Sequence, residues 1–328
     1  MSEPLVSIII PTYNGEKRIA RTLGSIIAQD YANLEIIVVD DVSTDGTVKA
    51  ARKVLENSGR KFTMLQRKEN GGQCAARNTG LEAATGEYVI FFDHDDLAAE
   101  NFVSVLCGKA QAKKSDIVFC GMKHFYEDEG RYVSETFTLP DNASLLEAWT
   151  ERRIFFWSVW NFMFRRDFLV NNSLKFTEGC MLGEDTEFVM KALVLTHRVS
   201  FVRDELYIYV HHGGQTSKAH REAAMFHAII MSRFRLGRFI ARNTDSPKIR
   251  EYVLNFYMPD TIVKQFTECA KLGDKERYAR LTQTLRHRKI RELLLSSVKF
   301  VLKMPELFLK SIILLYAPGL YYLLRKGR

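Results

Sequence analysis

The sequence predicts an α/β protein, with a mostly parallel central sheet flanked by helices and a helical C-terminal region after it. Three observations carry that reading. Short apolar runs rich in Val and Ile alternate with helix-period segments through the first third of the chain. Three of these runs lead straight into polar clusters. Beyond Ala223 the pattern is helical almost throughout.

Val6 to Ile10 reads as a buried strand closed by Pro11, which lacks a backbone donor. Lys17 to Gln29 sets Ile19, Leu23, Ile26 and Ile27 at helical spacing. Leu34 to Val39 is a second strand and ends in Asp40-Asp41. Ser43-Thr44-Asp45-Gly46 is a turn ahead of a helix from Thr47 to Asn57. Phe62 to Gln66 is a third strand, Ala75 to Ala84 a helix stopped by Gly86, and Tyr88 to Phe92 a fourth strand running into Asp93-His94-Asp95-Asp96. Strand and helix in alternation give a parallel sheet with crossovers, and ligands gather beyond the carboxyl ends of its strands. Pro11-Thr12-Tyr13-Asn14, Asp40-Asp41 and the acidic quartet therefore converge along one edge.

The second half is less regular. Asp116 to Gly121 and Phe201 to Val210 are strand-like, and Gly183-Glu184-Asp185-Thr186-Glu187 precedes a helical pattern through Leu195. Phe155 to Phe164, with Trp157 and Trp160, is rich in aromatics and reads as core or, second to that, as the wall of a cleft. The expected division is a domain over 1–220 and a helical region over 221–328.

The chain has 328 residues and five scattered cysteines, none in a C-x-x-C pair. That argues against a disulfide framework or a cysteine zinc site, and fits a reducing, cytoplasmic compartment. Met1-Ser2-Glu3-Pro4 opens no secretory signal pattern. The net charge is +8, and Arg286 to Arg328 holds ten Lys/Arg against two Asp/Glu, which accounts for all of it. Basic charge gathered on one segment points to an anionic surface. In that segment the longest uncharged run, Ser311 to Leu324, is short for a membrane span and is broken by Pro318-Gly319. It fits an interfacial, amphipathic anchor, with Tyr316, Tyr321 and Tyr322 at headgroup level. The alternative is a helical hairpin packed on protein.

Three carboxylates within Asp93-His94-Asp95-Asp96 repel one another unless a cation or donors neutralise them. Clustered oxygen ligands suit Mg2+ or Mn2+; a solvated acidic loop, or Asp96 as a helix cap, explains the quartet equally well. Asp40-Asp41 is a nucleoside acceptor or a helix cap. Arg77, after Gly71-Gly72, touches a phosphate, buttresses the quartet or makes a structural ion pair. Glu184-Asp185 supplies a general base or caps its helix. His211-His212 completes a metal site, steadies a leaving phosphate, or is plain surface.

Taken in order, these pieces resemble family 2 of the inverting glycosyltransferases, with the GT-A fold. Pro11-Thr12-Tyr13-Asn14, Val38-Val39-Asp40-Asp41-Val42-Ser43-Thr44-Asp45-Gly46-Thr47, Ala76-Arg77-Asn78-Thr79-Gly80-Leu81, Phe92-Asp93-His94-Asp95-Asp96 and Gly183-Glu184-Asp185 are similar to its successive motifs, over roughly residues 5 to 220. The resemblance implies transfer of a sugar from a nucleotide-diphosphate sugar, UDP-linked in preference to GDP or dTDP. The acceptor it implies is a saccharide or lipid-linked molecule of a bacterial surface polysaccharide. Pro11, Thr12, Tyr13, Asn14, Asp40, Asp41, Arg77, Asp93, His94 and Asp95 then fall to the donor. Asp95, Asp93 and His212, with His211 as rival, fall to a Mn2+ or Mg2+ ion. Asp185 is the implied base, Glu184 orients the acceptor, and Asp96 supports the acceptor side. Val42 departs from a family position often held by glycine. A Gln-x-x-Arg-Trp motif is absent, which favours single addition over processive synthesis.

A nucleotidyltransferase is the alternative, but it calls for a Gly-rich first loop with Arg and Lys, unlike Pro11-Thr12-Tyr13-Asn14. Nucleic-acid binding is not expected, because the charge sits on an apolar tail while the implied cleft is acidic. The expected location is the inner face of the plasma membrane, held peripherally by the tail, with no oligomeric state implied.

Overall fold

The computed structural model describes residues 3–135, 145–150, 158–213, 223–300 and 304–326. The chain forms two compact units: the first spans residues 1–143, 156–179 and 195–218, the second 144–155, 180–194 and 219–328. A single boundary near 220, itself outside the described residues, would leave 144–155 and 180–194 with the first unit. They group instead with the helical region.

In the first unit β1 (Val6–Thr12), β2 (Leu34–Asp40), β3 (Lys61–Gln66) and β4 (Tyr88–Phe91) alternate with α1 (Ile19–Ile27), α2 (Thr47–Leu55) and α3 (Gly72–Ala83). Every residue of β1 and β2 is buried, the mark of strands covered on both faces, whereas β3, at the sheet edge, has exposed and half-buried positions. On α1, Ile19, Leu23 and Ile26 form the buried stripe.

β1 runs past its expected stop and pairs Pro11 with Val39. The reason is directional. Ile9 accepts the Phe92 N–H on the β4 side, and Pro11, two residues on, faces the same side after β4 has ended. No ladder bond is lost there.

The unit continues with β5 (Leu97–Ala98), α4 (Phe102–Lys113), β6 (Ile117–Tyr126), β7 (Arg131–Glu135), β8 (Phe162–Arg165) and β9 (Val199–His211). The order is β3-β2-β1-β4-β8-β6-β9-β5, with β7 paired to β6. It is parallel from β3 to β4 and mixed beyond, since β8 is antiparallel to both β4 and β6, and β5 to β9. Trp160 stacks on Tyr207 at 4.0 Å and is buried, so the described part of the aromatic segment is core. Phe155, Phe156 and Trp157 lie outside the described residues.

The second unit is helical. After a short helix, Leu145–Thr150, come α5 (Glu184–Val194), α6 (Ala223–Asn243), α7 (Met258–Lys271), α8 (Lys275–Thr282), α9 (Arg288–Ser296), α10 (Pro305–Tyr316) and α11 (Pro318–Arg325). The basic tail packs on this unit by one face, burying Leu307, Leu314 and Leu315. Tyr321 and Tyr322 are also buried, with hydroxyls 2.6 Å from Thr267 Oγ1 and the Gly273 carbonyl, which corrects their expected place at a headgroup level. The opposite face leaves Leu309, Tyr316, Leu320 and Leu323 exposed. Val301, Leu302, Lys303 and the last two residues lie outside the described part. No described helix is long and apolar enough to cross a membrane.

Candidate active site

The carboxyl ends of β1, β2 and β4 open onto a cleft of about 420 Å³, lined among others by Pro11, Thr12, Tyr13, Asp41, Asp93 and Asp95. His94, Asn70, Gly72, Gln73 and Tyr209 complete its wall. The loops after β1 and β2 are laced together. Asn14, at φ 48, donates its N–H to Ser43 Oγ and accepts the Thr44 N–H at 2.9 Å through Oδ1. Gly15 N–H donates to Thr47 Oγ1 at 2.8 Å, and Asp45 accepts the Thr47 N–H at 3.0 Å, so Asp45 rather than Asp40 or Asp41 tends the start of α2. A Cβ on Gly15 would lie 2.4 Å from the His94 ring, so that position holds the first loop against the acidic quartet.

Asp41 is buried, and its two oxygens accept Gly71 and Gly72 N–H groups at 3.1 and 2.7 Å, with Arg67 at 3.4 Å. The Asn70-Gly71-Gly72 turn is thereby fixed against β2. Asp40 accepts the Ser43 N–H through Oδ2; its Oδ1 and the Thr12 hydroxyl are buried with no hydrogen-bond partner among the described residues. Val42 follows at φ 67, a left-handed conformation that glycine holds easily and a β-branched residue does not.

The quartet divides into three environments. Asp93 Oδ1 accepts from Arg77 Nη2 and Gln73 Nε2, each at 2.8 Å. Arg77 is fully buried, 5.1 Å above the Phe176 ring, and is not part of the cleft wall. Arg77 thus meets the quartet through Asp93. Asp95 Oδ2 lies 2.9 Å from His212 Nε2. Asp96 is 1% exposed and accepts from Tyr207 Oη at 2.6 Å and from the Val210 N–H at 2.7 Å. Burial first, then the charges of Asp95 and Asp93, push its carboxyl well above the usual range. It ties β9 to the loop after β4 and is not among the residues that line the cleft.

His211 and His212 make different contacts. His211 stacks on Tyr126 at 4.3 Å and lies 2.8 Å from His124 Nδ1, whose other nitrogen meets Glu135. Of the two, His212 is the one that meets the quartet. Among the described residues no three His, Cys, Asp or Glu side chains gather as a ready-made metal cage. The Asp95 carboxylate and the His212 imidazole are the chemistry a divalent cation takes when a diphosphate and water supply its other ligands.

Glu184 and Asp185 open α5 in the second unit, where with Glu187 they put three acids in its first turn. Gln73, Asn70 and Tyr209 carried no assigned role in the sequence. The glycine pair at 71–72 was the one sign that this stretch meets a ligand.

Residues 7–172 match the Glycosyl transferase family 2 pattern, half of the chain, and the chain belongs to that family. It is 34% identical over 212 residues to the uncharacterized glycosyltransferase EpsJ of Bacillus subtilis, covering 63% of this chain and 61% of EpsJ, less than two thirds of that protein's length. The fold is similar to that of Staphylococcus aureus TarS 1-349, crystallised with UDP-GlcNAc, at a TM-score of 0.70 and 23% identity over 94% of this chain and 89% of that one. It is also similar to the mannosyltransferase PcManGT from Pyrobaculum calidifontis, solved with GDP-Man and Mn2+, at 0.56 and 20% identity over 97% and 88%.

Proposed function

We propose that the chain is an inverting glycosyltransferase. It moves one sugar from a nucleotide-diphosphate sugar, UDP-linked, to a saccharide or lipid-linked acceptor of a bacterial surface polysaccharide. The observation that carries this reading is the cleft itself, where three motif loops of a family 2 chain meet at the carboxyl ends of parallel strands. Pro11, Thr12, Tyr13 and Asp41 hold the nucleoside, with Asp40 behind them. Asp93, steadied by Arg77 and Gln73, and His94 border the sugar and diphosphate. Asp95 and His212 would hold Mn2+ or Mg2+, whose charge would offset that developing on a departing diphosphate. A hydroxyl is a weak nucleophile at neutral pH, so Asp185 takes its proton and Glu184 orients it. Attack from the face opposite the diphosphate inverts the anomeric centre, and no covalent sugar-enzyme intermediate forms.

The test is a panel of nucleotide-sugars assayed with Mn2+, in detergent with lipid acceptors, for wild type, Asp95→Ala and Asp185→Asn. One UDP-sugar is consumed, each variant loses at least about a hundredfold in turnover, and chelation abolishes activity until Mn2+ or Mg2+ is restored. If wild type turns over no nucleotide-sugar, the reading falls and a nucleotidyltransferase takes its place.

The exposed Leu309, Tyr316, Leu320 and Leu323, beside the basic charge of the tail, support peripheral attachment at the inner face of the membrane. Wild type sediments with vesicles containing anionic lipid, and Leu320→Glu with Leu323→Glu stays in the supernatant. Equal sedimentation of the two leaves the tail as packing alone.

A further inference from the structure

The turn that carries Glu184 and Asp185 is gripped by α6. Gly183 sits at φ 87, and an added Cβ would lie 3.1 Å from both Ser232 Oγ and Arg233 Nη1. Its carbonyl accepts the Glu187 N–H at 3.0 Å, the first bond of α5. It also accepts Ser232 Oγ at 2.8 Å and Arg233 Nη1 at 2.9 Å. One turn further, buried Glu187 lies in the fork of Arg235, at 3.0 Å from Nε and 2.8 Å from Nη2, with Lys191 at 2.7 Å. Residues 232, 233 and 235 thus fix the backbone before the acid pair and the side chain after it.

Stability alone does not account for this arrangement. Arg233 is 9% exposed and Ser232 fully buried. Desolvating a guanidinium to meet a neutral carbonyl is costly, and an apolar side chain would pack the same space at less expense in free energy. What the two donors supply is direction. They lock the peptide between Gly183 and Glu184, and with it the angle at which the next two carboxylates leave the helix.

We infer that Ser232 and Arg233 are positioning residues for the Glu184–Asp185 pair, acting through the Gly183 carbonyl. The inference rests on the reading of Asp185 as the base. Loss of either donor leaves donor binding, which belongs to the first unit, as it was, and lowers the rate of the chemical step.

The test compares Ser232→Ala, Arg233→Met and Arg233→Lys with wild type and Asp185→Asn. Release of UDP from UDP-glucose, UDP-galactose and UDP-N-acetylglucosamine is followed with Mn2+ and water as acceptor, alongside UDP titration, thermal melting and amide exchange over residues 183–187. The expected result is a kcat about ten- to a hundredfold lower in Ser232→Ala and Arg233→Met, since small misplacements carry losses of that order. KM and the UDP Kd stay within about twofold because the donor cleft is untouched. Exchange over 183–187 is faster, and Arg233→Lys recovers part of kcat. Should Arg233→Met fail to fold, Ser232→Ala, which removes one hydroxyl, decides alone. Wild-type kcat in Ser232→Ala, with Asp185→Asn inactive, overturns the inference and leaves the base reading intact. A parallel fall of active fraction, melting temperature and UDP binding also overturns it, as a purely structural role. Unchanged turnover in Asp185→Asn, or no turnover in wild type, removes the base reading and this inference with it.

Discussion

Ser7 faces Glu35 across β1 and β2 at one end of the sheet, and Thr12 faces Asp40 at the other. At the amino end every bond is made. Glu35 accepts from Ser7 Oγ at 2.5 Å, the Thr85 N–H at 2.7 Å, the Thr85 hydroxyl at 2.8 Å and the Gly86 N–H at 3.2 Å, and pairs with Lys61 at 2.8 Å. At the carboxyl end Asp40 Oδ1 and Thr12 Oγ1 are buried with no hydrogen-bond partner among the described residues, and Val42 beyond them stands in a left-handed conformation. The same two strands in the same register are saturated and relaxed at one end, unsaturated and strained at the other. Unfulfilled polar groups and backbone strain gather where a ligand is to be met.

The contrast breaks most sharply at Glu35. Glu35→Ala strands the buried Ser7 and Gly86 donors in the interior and lowers unfolding free energy by about 3 kcal/mol, while UDP affinity of the folded protein stays put. A urea-melt loss under about 1 kcal/mol would erase the distinction between the two ends.

Acid probes the same network. Burial alone would raise the Glu35 carboxyl, but the bonds from Lys61, Ser7 and Thr85 outweigh it and lower the group to about 2. Its folded value lies below its unfolded one, so its stabilisation is complete above the ordinary value of 4.5 and drains away as pH falls towards 2. Urea melts of wild type steepen in that window, and Glu35→Gln lacks this component.

Asp40→Asn reads the other end. It weakens UDP binding by about tenfold by calorimetry and moves unfolding free energy by less than about 0.5 kcal/mol, since no intramolecular bond to Oδ1 is lost. The smallest effect is a gain. Val42→Gly relieves about 1–2 kcal/mol of left-handed strain against glycine's added unfolded-chain entropy, for a net stabilisation of about 0.5–1 kcal/mol. A loss of stability there would place the strain elsewhere.

The parallel half of the sheet was legible because β1, β2 and β4 are continuous apolar runs, and the crossovers between them set their order. The rest was not. β5 has two residues, and β8 hides in an aromatic stretch that serves core and strand alike. Asp93, Asp95 and Asp96 look equivalent in sequence. What separates them is Arg77, His212 and Tyr207, which lie 16, 117 and 111 residues away. That His212 rather than His211 meets Asp95 likewise turns on what β6 and β7 offer the other imidazole. The departure at Val42 was visible as a missing glycine, and its physical content, a positive φ, came only with the fold.

Of the five cysteines, Cys74, Cys107, Cys120 and Cys269 are buried, and Cys180 alone is half-exposed. Burial raises its thiol, and Arg235, 3.2 Å away, draws it back in part. The native chain thus carries a built-in handle for one reporter dye, three residues from Gly183 and against the guanidinium that holds Glu187. A maleimide probe under mildly alkaline conditions would place a fluorophore on the loop leading into α5 without engineering any residue.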